Sequence, residues 1–190
     1  MSETIDIEKA RSPNPAWLAI PLLLFALMSL TVGLIARGAI RQPYQTPFFH
    51  LFFSDTLHMK VWLITTAVVL GFFQLLTAAR IYQLLRFSPT GRLYNLVHRF
   101  SGYTAIALTV PVAYHCIFLL GFGTYDLRVY IHSILGSTVY GIFIAKVLLV
   151  RSRRFPGWAL PIAGGLLFST LLGLWLTSAL WFFSTFGVGI

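Results

Sequence analysis

The chain has 190 residues, of which 57% are hydrophobic and only 10% charged, with 14 Lys and Arg against five Asp and Glu for a formal charge of +9. A mean hydropathy of +0.81 and a charged fraction far below the soluble-domain norm of about 25% exclude a water-soluble globular domain and favour one that sits in lipid. The basic residues sit at the ends of apolar runs rather than in a patch, which turns the positive charge from a nucleic-acid signal into a topology signal.

The polar, charged stretch 1–15 precedes the first apolar run as a tail, and no small-residue cleavage pattern follows that run, so it is expected to stay as an anchor. Five runs are long enough to cross a hydrocarbon core of about 30 Å, which takes roughly 20 helical residues. They lie near 17–36, 61–80, 100–120, 129–150 and 158–183. The runs have no two-residue alternation, and a sheet edge has no partners in lipid, so the fold class is all-α: an integral membrane protein of five transmembrane helices in one domain, 1–190. Spans two to five are expected to form a four-helix bundle able to hold a haem. Pro111 falls inside the third span and is expected to kink it just before His115.

Lys9 and Arg11 precede span one, Arg80, Arg86, Arg92 and Arg99 surround the connection between spans two and three, and Arg151, Arg153 and Arg154 follow span four. All fall on one side, which the positive-inside rule makes cytoplasmic. The expected location is the cytoplasmic (plasma) membrane, N-terminus inside and C-terminus outside. The single cysteine, Cys116, lies in an apolar run and reads as a packing residue.

On that topology His58, His115 and His132 fall at the outer ends of three successive spans. Ligating side chains inside a bilayer are costly and mark functional sites. Ser54 and Asp55 are helix-capping residue types that would place His58 on the second helix. His115 and His132 lie equally far from the turn Gly121-Phe122-Gly123-Thr124-Tyr125-Asp126, so an antiparallel hairpin brings them level. Neutral imidazoles on separate helices are the axial ligands of a b-type haem, whose iron takes two of these three. Alternate helices of an up-and-down bundle lie diagonally with room for a planar cofactor, which favours His58 with His132 over the adjacent-helix pair His115 with His132. Gly136, one turn beyond His132, leaves space beside a ring, and Arg41, Lys60 and Arg128 are cations placed for haem propionates or for ordinary interfacial anchoring.

Leu57-His58-Met59 and Ile131-His132-Ser133-Ile134-Leu135-Gly136 resemble the ligand-bearing helix starts of the cytochrome b-561 superfamily and, more loosely, of the ferric-reductase-like membrane domains. The resemblance covers spans two to five and implies an electron-carrying four-helix core with haem ligands on alternating helices. That family holds haem on both sides, whereas His98 is the only histidine at the inner side and span five has none, so one haem b is expected. His98-Arg99-Phe100-Ser101-Gly102 resembles the helix opening of the cytochrome b anchor subunit of succinate dehydrogenase. That likeness implies a quinone site at Arg99 and Ser101, with His98 as a proton carrier; the competing reading makes His98 and Arg99 interfacial anchors and Ser101-Gly102 a packing face.

Beyond the tail the only carboxylates are Asp55 and Asp126, both at outer ends, which argues against an ion-coupled transporter. No nucleotide-binding glycine loop and no HExxH metal motif occurs. Two functions follow. One is a membrane-bound b-type cytochrome, an oxidoreductase or electron-transfer subunit whose partners are the bilayer, a redox protein or a quinone, with no nucleic acid. The other is a non-enzymatic scaffold or assembly subunit of a membrane complex whose histidines pack between helices.

Overall fold

The computed structural model describes residues 15–39, 48–85, 92–152 and 154–187. Most of the 1–15 tail, with Lys9 and Arg11, lies outside them, as do Arg41, Arg86 and Arg153. Among the described residues five helices are long and apolar enough to cross a membrane: α1 Pro15–Ala39, α2 Thr56–Ile81, α3 Arg92–Leu120, α4 Leu127–Arg151 and α5 Ala159–Phe186. The first four contain their expected runs and extend beyond them, and α5 begins one residue later than its run and ends three residues beyond it. Hydropathy marks the lipid-buried part of a helix, whereas backbone hydrogen bonding continues into the polar flanks; α3 accordingly starts at Arg92 and carries His98 and Arg99 inside the helix.

Polar caps set the starts of two helices. The Asp55 carboxylate accepts from the backbone N–H of Leu57 and His58 at 2.7 and 2.9 Å, which puts His58 in the first turn of α2 as its capping sequence implied. Asp126 does the same for α4, accepting from Arg128 N at 3.0 Å. Pro111 lies within α3, and the last turn of that helix, His115–Leu120, widens into a π-helix. A second π-helical turn, Leu176–Leu180, occurs in α5 at the same end of the bundle. Such turns are uncommon and concentrate at functional sites.

The helices close into a five-membered ring rather than the expected four-helix bundle of spans two to five. α1 packs along α4, α4 along α5, α5 against α2, α2 along α3, and the final turn of α3 returns to α1. The reason lies in small residues that sequence reading passed over. Ser29 and Gly33 on α1 face Ser137 and Gly141 on α4, each pair four residues apart; a Cβ on Gly141 would lie 2.5 Å from Ser29 Oγ and 2.7 Å from the Phe25 carbonyl oxygen. Backbones that close are how helices associate in lipid, where no hydrophobic force separates helix from solvent. The turn after α3 is tied to the same helix, Phe122 N donating to Ala36 O at 3.1 Å. With α1 occupying this position, the consecutive helices α3 and α4 touch only glancingly, leaving a seam between them. The apolar core lies instead between α2 and α5, around Val61, Ile64, Ala67, Val68, Leu171, Ala179 and Phe182.

Candidate functional site

At the end of the bundle that carries the α1–α2 and α3–α4 connections, the seam holds a small cavity of about 60 Å³. Its walls are mostly apolar, from Ile64, Val112, Ile117, Val139 and Leu174; its polar lining is His132 and Tyr140 of α4, Thr109 and Cys116 of α3, and Ser178 of α5. Both π-helical turns contribute, the first through Cys116 and Ile117 and the second through Ser178.

Hydrogen-bond directions decide what this cavity offers. Thr177 Oγ1 donates to the Gly173 carbonyl at 2.7 Å, so it accepts from His132 Nδ1 at 2.9 Å. His132 therefore carries its hydrogen on Nδ1 and a lone pair on Nε2. Thr109 donates to the Ile106 carbonyl at 2.7 Å, so Tyr140 donates to Thr109 at 2.9 Å across the seam. Ser178 donates to the Leu174 carbonyl at 2.6 Å. Every hydroxyl hydrogen around the cavity is committed to the protein, and apart from the weak thiol of Cys116 the polar lining presents lone pairs. Such a lining suits an electrophile, a metal centre or a hydrogen donor. Gly136 also lines it, and a Cβ there would meet only Leu174 Cδ2 at 3.9 Å, so the glycine widens the cavity rather than relieving a clash.

His58, His115 and His132 come to the same end but into separate surroundings. Among the described residues no hydrogen bond or ring contact joins any two of them. His58 is half-buried, its Nδ1 donating to Asp55 Oδ2 at 2.6 Å and its ring edge-on to Phe182 at 5.4 Å. The backbone N–H and the imidazole of His58 hold the Asp55 carboxyl below the ordinary carboxylate range. The cap is therefore complete above the ordinary carboxylate value of about 3.9 and weakens only as pH falls below it. Replacement Asp55→Ala is expected to speed hydrogen exchange of the Leu57 and His58 amides at neutral pH, relative to their intrinsic rates. Unchanged protection would remove the carboxylate's role.

His115 is fully buried and occupied at both ring nitrogens, Nδ1 donating to the Pro111 carbonyl at 2.8 Å and Nε2 accepting from Phe49 N at 3.2 Å. It packs against Phe48, Phe49 and Tyr114. In this packing it anchors the segment before α2 and has no nitrogen to offer a metal. Its neighbour Cys116, not His115, faces the cavity.

Of the expected propionate partners, Arg41 lies outside the described residues. Arg128 is engaged elsewhere: Nη1 donates to the Thr177 carbonyl at 2.6 Å, and the guanidinium lies 4.1 Å over the Trp181 ring. Lys60 makes no hydrogen bond or ion pair among the described residues and lies within electrostatic range of both His132 and Cys116.

The expected quinone pair does not assemble. Arg99 is exposed on the outer surface of α3, whereas Ser101 is buried against α2; residues two apart do not share a helix face. Ser101 accepts from Gln74 Nε2 at 2.7 Å and donates to the Val97 carbonyl at 2.7 Å, and Gln74 also donates to the His98 carbonyl. Gly102 makes room for that amide, a Cβ there lying 3.0 Å from Gln74 Oε1. The stretch His98-Arg99-Phe100-Ser101-Gly102 thus forms a polar α2–α3 packing face.

Thr177, Tyr140 and Gln74 were not singled out by sequence. His132, Gly136 and Tyr140 recur every four residues on one face of α4, a signal legible in the sequence; the partners Thr177 and Gln74 depend on cross-helix register, which is not.

These features define a five-helix membrane protein with an acceptor-lined cavity between its third and fourth spans. The model of the family described as "Family of unknown function (DUF6529)" matches residues 18–190, and the chain belongs to that family. No curated protein and no solved structure matches it.

Proposed function

We propose that the chain is a membrane-embedded electron carrier of the cytochrome b-561-like class that holds one b-type haem at its histidine end, with His132 and His58 as the residues that would hold its iron. One observation carries the reading: both imidazoles have Nδ1 fixed by an acceptor, Thr177 for His132 and Asp55 for His58, which leaves Nε2 as the coordinating nitrogen. Metal-bound histidines are held this way, the outer partner setting tautomer and ring orientation.

Two neutral imidazoles are the donor chemistry that a haem iron takes; His132 lines the cavity and His58 does not, and the cavity, at about 60 Å³, is smaller than the roughly 300–1,000 Å³ of ligand pockets, so holding the macrocycle between them means parting the loosely packed α3–α4 seam. A bound haem supplies one-electron exchange between ferric and ferrous iron. The chain's own residues do the rest. Thr177 and Asp55 orient the imidazoles, Gly136 leaves room beside His132, Lys60 offers a charge partner for a carboxylate, and the apolar walls keep water away, which tunes the potential. The Lys and Arg at the far ends of the helices support a reading with that end cytoplasmic, the N-terminus inside, the C-terminus outside and the haem near the outer face of the plasma membrane.

The test is a reduced-minus-oxidised spectrum of protein purified from haem-replete membranes, with b-type bands and one haem per chain expected. Thr177→Val, which keeps His132 but frees its Nδ1, is expected to weaken haem retention by about 10–100-fold; retention equal to wild type would remove Thr177 from the site. One observation favours a scaffold instead: His115 is held at both nitrogens inside the protein. Protein free of haem would decide for that reading.

A further inference from the structure

The opposite end of the bundle repeats the arrangement around His132. Thr77 Oγ1 donates to the Phe73 carbonyl at 3.0 Å and therefore accepts from His98 Nδ1 at 2.8 Å. In both cases a histidine near the start of one helix is pinned through Nδ1 by a threonine near the end of the neighbouring one, and that threonine is itself closed on its own helix. The two pairs, α3 with α2 and α4 with α5, run in opposite senses, so the device appears once at each membrane face. Each copy also has a lysine from a further helix within electrostatic range, Lys60 for His132 and Lys146 for His98. A histidine kept only as an interfacial anchor has no need of a fixed tautomer.

What remains at this end is specific. His98 and Lys146 are half-buried, on α3 and α4, the two helices whose seam is not closed by backbone packing. Lys146 makes no hydrogen bond or ion pair among the described residues, and neither does His98 Nε2. The polar groups on the other side of His98 are engaged across the α2–α3 interface: Thr77 accepts from His98 Nδ1, and Gln74 donates to Ser101. With Lys146 within electrostatic range of His98, the two residues together offer a ligand one lone pair and one ammonium. A carboxylate or a phosphodiester satisfies the ammonium but brings no hydrogen for the imidazole. A hydroquinone ring brings both, a hydroxyl hydrogen for Nε2 and a second oxygen that accepts from the ammonium, on a tail soluble in the bilayer.

We propose that the α3–α4 seam at the basic end binds the head group of a lipid-soluble quinol, with His98 Nε2 accepting from one hydroxyl and Lys146 donating to an oxygen. The proposal rests on the reading of the chain as an electron carrier, and it moves the quinone site from Arg99 and Ser101 to His98 and Lys146.

The experiment is binding of a short-tailed quinol under anaerobic reducing conditions to the full chain in nanodiscs of neutral lipid, followed by quenching of tryptophan fluorescence. Saturable binding is expected, weakened at least tenfold in Lys146→Met and in His98→Leu, and unchanged in Arg99→Ala. Because His98→Leu also removes a packing contact, Thr77→Val serves as a second variant that keeps the imidazole and frees its ring; it is expected to weaken binding without changing thermal stability by as much as His98→Leu does. Absence of saturable binding to wild type, or wild-type affinity in Lys146→Met, overturns the proposal. So does displacement of the quinol by added anionic lipid in proportion to surface charge alone, which identifies Lys146 as a headgroup contact. Haem spectra of the same samples separate the two readings: haem without quinol binding removes only the quinol site, and quinol binding without haem removes only the haem.

Discussion

His132→Ala is expected to abolish the b-type difference spectrum while leaving a folded protein. Of His58, His115 and His132, only His132 lines the cavity, and its Nε2 makes no hydrogen bond among the described residues. Truncation removes that nitrogen and leaves Thr177, whose own hydrogen still closes on the Gly173 carbonyl, so no buried donor is orphaned and the fold has little reason to fail. His115→Ala has the opposite profile. It strands the Phe49 N–H and the Pro111 carbonyl next to a void, each unsatisfied group costing about 1–3 kcal/mol, yet it is expected to keep its haem. His58→Ala is expected to retain haem with altered bands, because one of the two residues that would hold the iron is lost. One haem per chain persisting in His132→Ala, with unchanged bands, would falsify the ligand assignment.

Gly141→Ala is expected to be the most destabilising single-methyl change in the bundle. The added Cβ would lie 2.7 Å from the Phe25 carbonyl oxygen and 2.5 Å from Ser29 Oγ. The serine can rotate, but the carbonyl belongs to the α1 backbone, so α1 and α4 must move apart. Overpacking of this kind costs about 1–3 kcal/mol, and here it acts on the interface that closes the ring. Gly164→Ala is the control, since a Cβ there meets nothing within 4 Å; replacing a helical glycine in open space is neutral or favourable by up to about 1 kcal/mol. Unfolding in a detergent-denaturant titration compares the two. Equal midpoints for Gly141→Ala and Gly164→Ala would mean that the close α1–α4 approach does not support the bundle.

The site was legible in the sequence to different depths. Asp55 and His58 lie within one helical turn, and a capping carboxylate three residues before a histidine announces both the helix start and the contact. The four-residue spacing of His132, Gly136 and Tyr140 likewise needs only helical periodicity. His115 misled because its depth matched that of His132 while its direction did not: the π-helical turn beginning at His115 rotates the following residues, so Cys116 reaches the cavity and His115 turns toward Phe48 and Phe49. Arg99 and Ser101 misled for a related reason, since a short motif read along the chain hides the fact that its members occupy different faces of α3.

The sequence by itself determined the solvent, the helical class and the number of spans, because apolar length against bilayer thickness and the need to satisfy backbone groups in lipid leave almost no alternative. It also determined which end of the bundle collects imidazoles, since alternating spans fix depth. Neighbours were decided only by the tertiary structure. Which helices touch depends on small residues such as Ser29, Gly33, Ser137 and Gly141 meeting in register across the interface, and register between helices is a property of packing in three dimensions. From it follow the ring of five, the open α3–α4 seam, and the threonines that fix His132 and His98 from neighbouring spans.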